Sequence, residues 1–232
     1  MTEPIDFDSF ADDYDHQLGH GLSATGEDKN YFANGRIELL SKRLAQLGAS
    51  VETILDFGCG TGTAAPLFFD HLGCTGYVGV DESARSIEVA KHSTSGLITE
   101  FQTLESFTPS ADVDVAYANG VFHHIVPADR VATASLVYSA IKPGGHFALW
   151  DNNPWNPGTR YVMKKIPFDR DAITLSAPEA RHVLRDAGFE IVATDFLFIF
   201  PAALSALRFM ERPLSKLPIG GQYQVLARKP EA

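Results

Sequence analysis

A glycine-rich turn followed by one acidic residue has the clearest chemical meaning in this sequence. The turn ends the segment Ile54-Leu-Asp-Phe-Gly-Cys-Gly-Thr-Gly62, and Asp81 follows 19 residues after its last glycine. Gly58 and Gly60 allow a sharp bend that opens the backbone to a ligand, and the next helix offers N–H groups at its positive end. A carboxylate at the position of Asp81 can accept hydrogen bonds from both hydroxyls of a ribose. The pair predicts a cofactor that contains a nucleoside.

The spacing of the glycines bears on which cofactor this is. A dinucleotide loop of the form G-x-G-x-x-G/A would place its third small residue at position 63, which is Thr63 here, while Gly62 comes one place early. The pattern therefore counts against a nicotinamide cofactor without excluding it. Each feature also has an interpretation without a ligand, because the loop can be a plain strand-to-helix turn and Asp81 can be a helix cap.

A second set of polar residues follows two later apolar runs. Asn119-Gly-Val-Phe-His-His124 comes after one run, and Asp151-Asn-Asn153 comes after the other. If both runs are parallel strands, their carboxyl ends meet at the edge of the sheet where ligands bind in open α/β folds. Histidine titrates near neutral pH without tuning, so His124 is a candidate base or orienting group, and His123 is the second candidate.

Alternating strands and helices must position these residues. The sequence predicts strands over 51–57, 77–80, 98–101, 114–118 and 146–150, and helices over 28–47, 61–72, 84–92 and 128–141. This alternation predicts an α/β, doubly wound sheet with helices on both faces. The last third predicts a long loop over the site at 151–176, a helix at 178–187, and strands at 189–200 and 222–228 around a helical segment at 202–214.

Composition limits the class of protein and its partners. The chain has 232 residues, 45% of them hydrophobic and 21% charged, which suits one soluble globular domain. Its net charge of −10 would repel a phosphate backbone, so we expect no nucleic-acid partner. The acidic start lacks the features of a secretory signal, and Cys59 and Cys74 form no disulfide framework, so we expect a cytoplasmic protein. The longest apolar stretch is too short to span a bilayer, and we expect no membrane partner.

Five motifs resemble those of the class I S-adenosylmethionine-dependent methyltransferases, especially the small-molecule branch similar to ubiquinone and phosphoethanolamine methyltransferases. They are LDFGCGTG at 55–62, GVDES at 79–83, DVAYANGVFHHI at 114–125, IKPGGHFALWD at 141–151 and LRDAGF at 184–189. The resemblance implies a Rossmann-like seven-stranded sheet of order 3-2-1-4-5-7-6 with an antiparallel last strand. It also implies one domain, with an N-terminal helical lid over 1–48, a cofactor-binding half over 49–152, and a substrate-side loop with C-terminal strands over 153–232.

The resemblance implies roles for individual residues in binding S-adenosylmethionine. The implied cofactor-binding residues are Arg36, Asp56, Gly58, Cys59, Gly60, Asp81, Glu82, Gln102 and Asn119. Within this set, Arg36 would pair with the carboxylate of the cofactor, or else be a solvated residue on a helix face. Asp56 would order the turn. Glu82 and Gln102 would lie near the adenine.

The implied catalytic residues are His124 and Tyr14. Tyr14 would cover the sulfonium from the lid, or else pin the lid to the core. Methyl transfer is an in-line displacement, so the protein must hold the nucleophile about 3 Å from the methyl carbon and remove its proton. A locally basic loop could recognise a carboxylate or phosphate on the acceptor, or simply cap the domain; it contains Trp155, Arg160, Tyr161, Lys164 and Lys165.

The sequence thus predicts methyl transfer to oxygen, nitrogen or carbon of a small metabolite. Two alternatives stay open: a nicotinamide-dependent oxidoreductase, and a catalytically silent cofactor-binding regulatory module. No paired ligand spacing indicates zinc and no metal is predicted, although a divalent ion held by carboxylates stays open. The apolar region 196–217 could line an acceptor pocket or bury a homodimer contact, and packing in the core is the interpretation we favour.

Overall fold

The computed structural model describes residues 18–19, 21–94, 96–170 and 172–231. Its strands are β1 Thr53–Phe57, β2 Gly76–Asp81, β3 Thr99–Thr103, β4 Val113–Asn119, β5 Ile141–Asn152, β6 Glu190–Leu197 and β7 Gln222–Arg228. Its α-helices are α1 Lys29–Leu47, α2 Ala65–Leu72, α3 Ala84–Ser93, α4 Arg130–Ala140, α5 Pro157–Met163, α6 Ala177–Asp186 and α7 Glu211–Leu214. Short 3₁₀ segments cover Ser23–Thr25, Pro167–Asp169 and Ala202–Met210.

The strands form one sheet in the order β3-β2-β1-β4-β5-β7-β6. β1, β2, β3, β4 and β5 pair in parallel, whereas β7 runs antiparallel to both β5 and β6. The predicted order and the antiparallel last strand are confirmed. Because the order of strands reverses between β1 and β4, a crevice opens beyond their carboxyl ends, where open α/β sheets bind ligands.

Helix α1 begins and ends at the residues that the sequence indicates. The Asp28 side chain accepts a backbone N–H of the first turn at 2.8 Å, and Gly48 ends the helix with a left-handed φ of 67°. Ile37, Leu40 and Leu44 are buried on one side of the helix, in the cluster that packs one face of the sheet. This packing fixes the helix that carries Arg36.

The helix predicted from Thr61 begins four residues later, at Ala65. The glycine turn occupies the intervening chain, since Gly58, Gly60 and Gly62 have φ values of 80°, 53° and 71°. A positive φ is outside the right-handed helical region, so α2 cannot start until the turn is complete. Pro66 then stands in the first turn of α2, as predicted.

The predicted loop over 151–176 contains regular structure. Helix α5 starts at Pro157 and is capped by Asn156, whose side chain accepts the N–H of Thr159 at 3.0 Å. The helix is only seven residues long, too short for its apolar positions to show a period. None of the helices within the described ranges has the length and apolarity needed to cross a bilayer.

Candidate active site

A cavity of about 980 Å³ lies at the carboxyl ends of the central strands. This volume is near the upper end for sites that bind a small molecule or cofactor. The polar part of its lining comes from strand ends and the turns after them, and includes Gly58, Gly60, Asp81, Glu82, Asn119, His123, His124 and Asn152. α1 contributes Arg36, and α5 with the segment after it contributes residues between 158 and 173.

The glycine turn is held against the end of β2. The N–H groups of Gly58 and Cys59 donate to the carbonyl of Val80 at 2.7 and 3.1 Å. A Cβ on Gly58 would lie 2.2 Å from Cγ2 of Val121, whereas a Cβ on Gly60 would meet no atom within 4 Å. Gly58 is therefore required for packing, and Gly60 keeps the wall of the cavity open where backbone can approach a ligand.

Asp81 links the turn to the start of α3. One carboxylate oxygen accepts the N–H of Gly60 at 2.8 Å, and the other accepts the N–H of Ser83 at 3.0 Å. A carboxylate oxygen can accept more than one hydrogen bond, so a ligand in the cavity can share these oxygens. Asp81 thus orders the turn and also presents negative charge to the cavity. Burial, followed by the charge of Asp81, raises the pKa of Glu82 beside it.

Arg36 is held in the cavity wall. Its Nε donates to the hydroxyl of Tyr117 at 3.1 Å, and its Nη1 donates to Oε1 of Gln222 at 2.9 Å. Burial raises the pKa of Tyr117 to about 12, so this hydroxyl stays neutral and can act as a fixed acceptor. The guanidinium is therefore oriented by the protein and is not a mobile surface charge.

Asn119 adds an acceptor on the same wall. Its Oδ1 is buried and has no hydrogen-bond partner among the described residues. Buried polar atoms in native proteins nearly always have a partner, and a ligand in the cavity could supply the donor that this oxygen lacks. The backbone after Asn119 is fixed, since the N–H of Gly120 donates to the carbonyl of Trp150 at 3.1 Å.

Two histidines and two aspartates form a buried network on the acceptor side. His123 Nδ1 lies 2.6 Å from Oδ1 of Asp151, and its Nε2 lies 3.3 Å from Oδ1 of Asp169. Nε2 of His124 lies 3.3 Å from the same oxygen of Asp169. His123, His124 and Asp169 line the cavity, whereas Asp151 is fully buried behind them.

The charges of this network follow from its geometry. Burial lowers the pKa of His123, but the charge of Asp151 and hydrogen bonds to both carboxylates outweigh it and raise the pKa to about 10. Burial raises the pKa of Asp169, but the two histidines lower it to about 2. Burial lowers the pKa of His124. At neutral pH, His123 is therefore charged, Asp169 is ionised and His124 is neutral.

The loop that carries the histidines is fixed by a buried arginine. Nε of Arg130 donates to the carbonyls of Phe122 at 3.1 Å and Ile125 at 3.0 Å, and its Nη2 donates to the carbonyl of Ile173. The N–H of Ile173 donates in turn to the carbonyl of His123 at 2.9 Å. These bonds join the loop after β4 to the chain after Asp169.

Several solved structures share this fold, among them structures of methyltransferases. A chain from the Haloferax volcanii complex that contains the Trm112 methyltransferase activator has a TM-score of 0.67 at 20% identity and matches 99% of this chain and all of that one. A SAM-dependent methyltransferase from Archaeoglobus fulgidus has a TM-score of 0.59 at 19% identity and matches 83% of this chain and 94% of that one. At these identities the likeness shows the fold.

Sequence comparison adds likeness to known methyltransferases. A methyltransferase domain matches residues 55–147, from the glycine turn to the middle of β5. The trans-aconitate 2-methyltransferase of Azoarcus sp. strain BH72 is 25% identical over 146 residues, 62% of this chain and 57% of that protein, so the chain spans little more than half of that relative. The ribosomal protein L11 methyltransferase of Aliivibrio salmonicida is 30% identical over 107 residues, 46% of this chain and 35% of that protein.

Three of the residues predicted for the cofactor do not line the cavity. Asp56 is buried beneath the turn, where it accepts the hydroxyl of Tyr77 at 2.8 Å, and burial raises its pKa to about 7. The Cys59 side chain packs in the core, and burial raises the pKa of its thiol. Gln102 donates to Oε1 of Glu100 at 2.7 Å. Tyr14 lies outside the described residues, and its role stays a prediction.

Asp169 is the site residue that the sequence did not indicate. It belongs to the 3₁₀ segment after α5 and reaches His123 across 46 positions of sequence. Asp169, His123 and His124 each offer one ligand atom within 4.8 Å of the others, a separation that a metal ion could bridge. A cation there would have to displace the protons that the histidines share with the carboxylate.

Proposed function

We propose that this chain is a methyltransferase that transfers the methyl group of S-adenosylmethionine to a small acceptor whose nucleophile lies beside His124 and Asp169. The observation that carries the proposal is one continuous cavity lined by both the glycine turn with Asp81 and the histidine–aspartate network. A single space thus offers a nucleoside site and a group that can bind or remove a proton. The methyltransferase relatives support the same reaction class.

The residues present fit the cofactor. Asp81 would accept the ribose hydroxyls, the oriented guanidinium of Arg36 would bind a carboxylate, and Oδ1 of Asn119 would gain a donor. Gly60 provides the side-chain-free surface against which a bulky ligand can lie. The cofactor, when bound, supplies the electrophilic methyl group.

The chain's own contribution is positioning and proton removal. Asp169 orients His124 through Nε2, and Arg130 holds the loop that carries both histidines. Since burial keeps His124 neutral at pH 7, the His124–Asp169 pair can take a proton from an acceptor hydroxyl or amine. The charged His123 is engaged by Asp151 and Asp169, which suits it to hold the pair in place.

The acceptor proposed here is a mainly apolar molecule with one nucleophilic group. Apolar side chains dominate the cavity away from the glycine turn, among them Leu22, Phe32, Val126, Val162, Met163, Ile166, Phe168, Ile173, Phe198 and Ile199. Among the described lining residues, Lys29 and Arg36 are the basic side chains other than histidine. A polycarboxylate such as trans-aconitate would leave several charges against apolar surface, at a large desolvation cost. Arg160, Lys164 and Lys165 do not line the described cavity.

Calorimetry and product detection test this function. S-Adenosylhomocysteine should bind the full chain at micromolar concentration, and NADH should not compete with it. In a panel assay with S-adenosylmethionine, apolar phenols and alcohols should be methylated faster than trans-aconitate. Binding without turnover across the panel would favour a silent regulatory module, and absence of binding would reject the proposal. The expectations of a homodimer, of no nucleic-acid partner and of a cytoplasmic location stay predictions.

A further inference from the structure

The segment between β6 and β7 exposes apolar side chains on a scale unlike the rest of the described surface. Neither the 3₁₀ segment Ala202–Met210 nor α7 contains a buried residue. The exposed apolar side chains of this region are Leu204, Leu207, Phe209, Met210, Leu217 and Ile219, which we call the apolar rim, and Phe209 is 77% exposed. The prediction that 196–217 packs in the core therefore holds for Phe196, which is buried, and is wrong for 202–217, where no residue is buried. Single exposed apolar side chains need no explanation, but six of them within one short segment suggest an interaction surface.

The polarity of the segment is reversed relative to an ordinary surface helix. Arg208 faces the domain, where its Nη2 donates to Oε1 of Glu27 at 2.6 Å and its guanidinium lies 4.5 Å from the ring of Tyr31. Oε1 of Glu211 accepts the N–H of Phe200 at 3.0 Å. A surface helix normally buries its apolar side and exposes its charges. Here charges attach the segment to the domain and apolar side chains are left outside.

The apolar rim continues into the cavity. Ile199, Phe200 and Pro201 line the cavity and are followed directly by the 3₁₀ segment. Phe198 contacts Phe32, with ring centroids 4.8 Å apart, so the wall of the cavity here is also aromatic. The apolar rim is therefore continuous along the chain with the apolar wall of the cavity.

The charged side chains near the apolar rim indicate the kind of surface that it binds. The segment 202–219 carries three basic side chains and one acidic side chain, within a chain of net charge −10. Arg212 is exposed, and Lys216, which also binds Asp195 at 2.7 Å, has a side chain that is 58% exposed. Apolar side chains interleaved with exposed cations are the pattern of segments that lie in the interface of an anionic bilayer.

We infer that the apolar rim docks this chain onto an anionic lipid surface, with the mouth of the cavity facing the bilayer. No spanning helix is needed, because apolar side chains reach only into the headgroup boundary while Arg212 and Lys216 meet the phosphates. The inference goes against the sequence expectation of no membrane partner, which considered spanning segments. It does not depend on the proposed methyl transfer, since lipid binding is measured without cofactor.

Vesicle sedimentation of the full chain tests the inference. We expect binding to vesicles of phosphatidylcholine with phosphatidylglycerol, and weaker binding to pure phosphatidylcholine. Phe209→Asp should reduce the partition coefficient by about tenfold or more, since it replaces an inserted aromatic with a charge. Ile98→Asp is the matched control, because Ile98 is 74% exposed but lies before β3 and outside the apolar rim. It should bind vesicles as the unmodified chain does.

Three results would overturn the inference. The first is absence of vesicle binding by the unmodified chain. The second is equal loss of binding in the Phe209 and Ile98 variants. The third is a dimer, measured by light scattering, that Phe209→Asp converts to monomer without any effect on sedimentation with vesicles. Both variants replace exposed side chains, so circular dichroism should show that each stays folded.

Discussion

The charged state of His123 makes a quantitative prediction about stability and pH. The pKa of His123 rises from its ordinary 6.5 to about 10 in the folded chain, because Asp151 and Asp169 accept hydrogen bonds from its two ring nitrogens. A group whose pKa is raised by folding stabilises the fold fully below its unfolded pKa. That stabilisation is lost as the pH rises toward the folded value. Asp169, with a pKa of about 2, stays ionised over this range.

The size of the effect follows from the shift. One pKa unit corresponds to about 1.4 kcal/mol, so His123 should contribute about 3 kcal/mol less to the free energy of unfolding at pH 9 than at pH 6. His123→Gln removes this charge and leaves two carboxylates without their cation, which should destabilise the fold by about 3–5 kcal/mol at pH 6. At pH 9 the free energy of unfolding of the variant should lie about 3 kcal/mol closer to that of the unmodified chain than it does at pH 6.

Urea unfolding at the two pH values measures this difference. His182→Gln is the control, because the His182 side chain is 78% exposed on α6. The free energy of unfolding of this variant should differ from that of the unmodified chain by a similar amount at pH 6 and pH 9. If His123→Gln lowers the free energy of unfolding by the same amount at pH 6 and pH 9, His123 is not charged in the folded chain. Should the variant not fold, an NMR titration of the His123 ring in the unmodified chain decides, and a pKa below 7 refutes the reasoning.

The sheet and the nucleoside side of the site could be predicted from local sequence. Their signals are local: an apolar strand, a glycine turn and a strand-end carboxylate each occupy a few adjacent residues, and the carboxyl ends of parallel strands must converge. Gly58, Gly60 and Asp81 accordingly line one cavity. Asp56 precedes the same turn but is buried beneath it, where it accepts the hydroxyl of Tyr77, so a position beside the turn did not by itself predict a place in the cavity lining.

The acceptor side could not be predicted in the same way. Asp169 joins the histidines through a contact between distant parts of the chain, and no local spacing marks it. The prediction that 196–217 packs in the core fails over 202–217, because hydrophobic patterns assume that the chain buries its own apolar residues. Residues that bind an apolar ligand or surface violate this assumption, so hydrophobic patterns mispredict burial where apolar side chains contact a partner.

Three further perturbations separate binding, chemistry and folding. Asp81→Ala should weaken S-adenosylhomocysteine binding by about 10- to 100-fold in calorimetry, since it removes charged hydrogen bonds. Asp70→Ala is the control, because Asp70 is exposed and its replacement should not change binding. Equal effects of the two substitutions would show that Asp81 does not bind the cofactor. His124→Ala should lower kcat far more than it weakens cofactor binding, and a matching loss in both would contradict its role in proton removal. Gly58→Ala should lower the free energy of unfolding by more than Gly73→Ala does. Both glycines have positive φ, but only at Gly58 would the new Cβ also lie 2.2 Å from Val121. Equal losses in the free energy of unfolding would show that the contact with Val121 does not destabilise the fold.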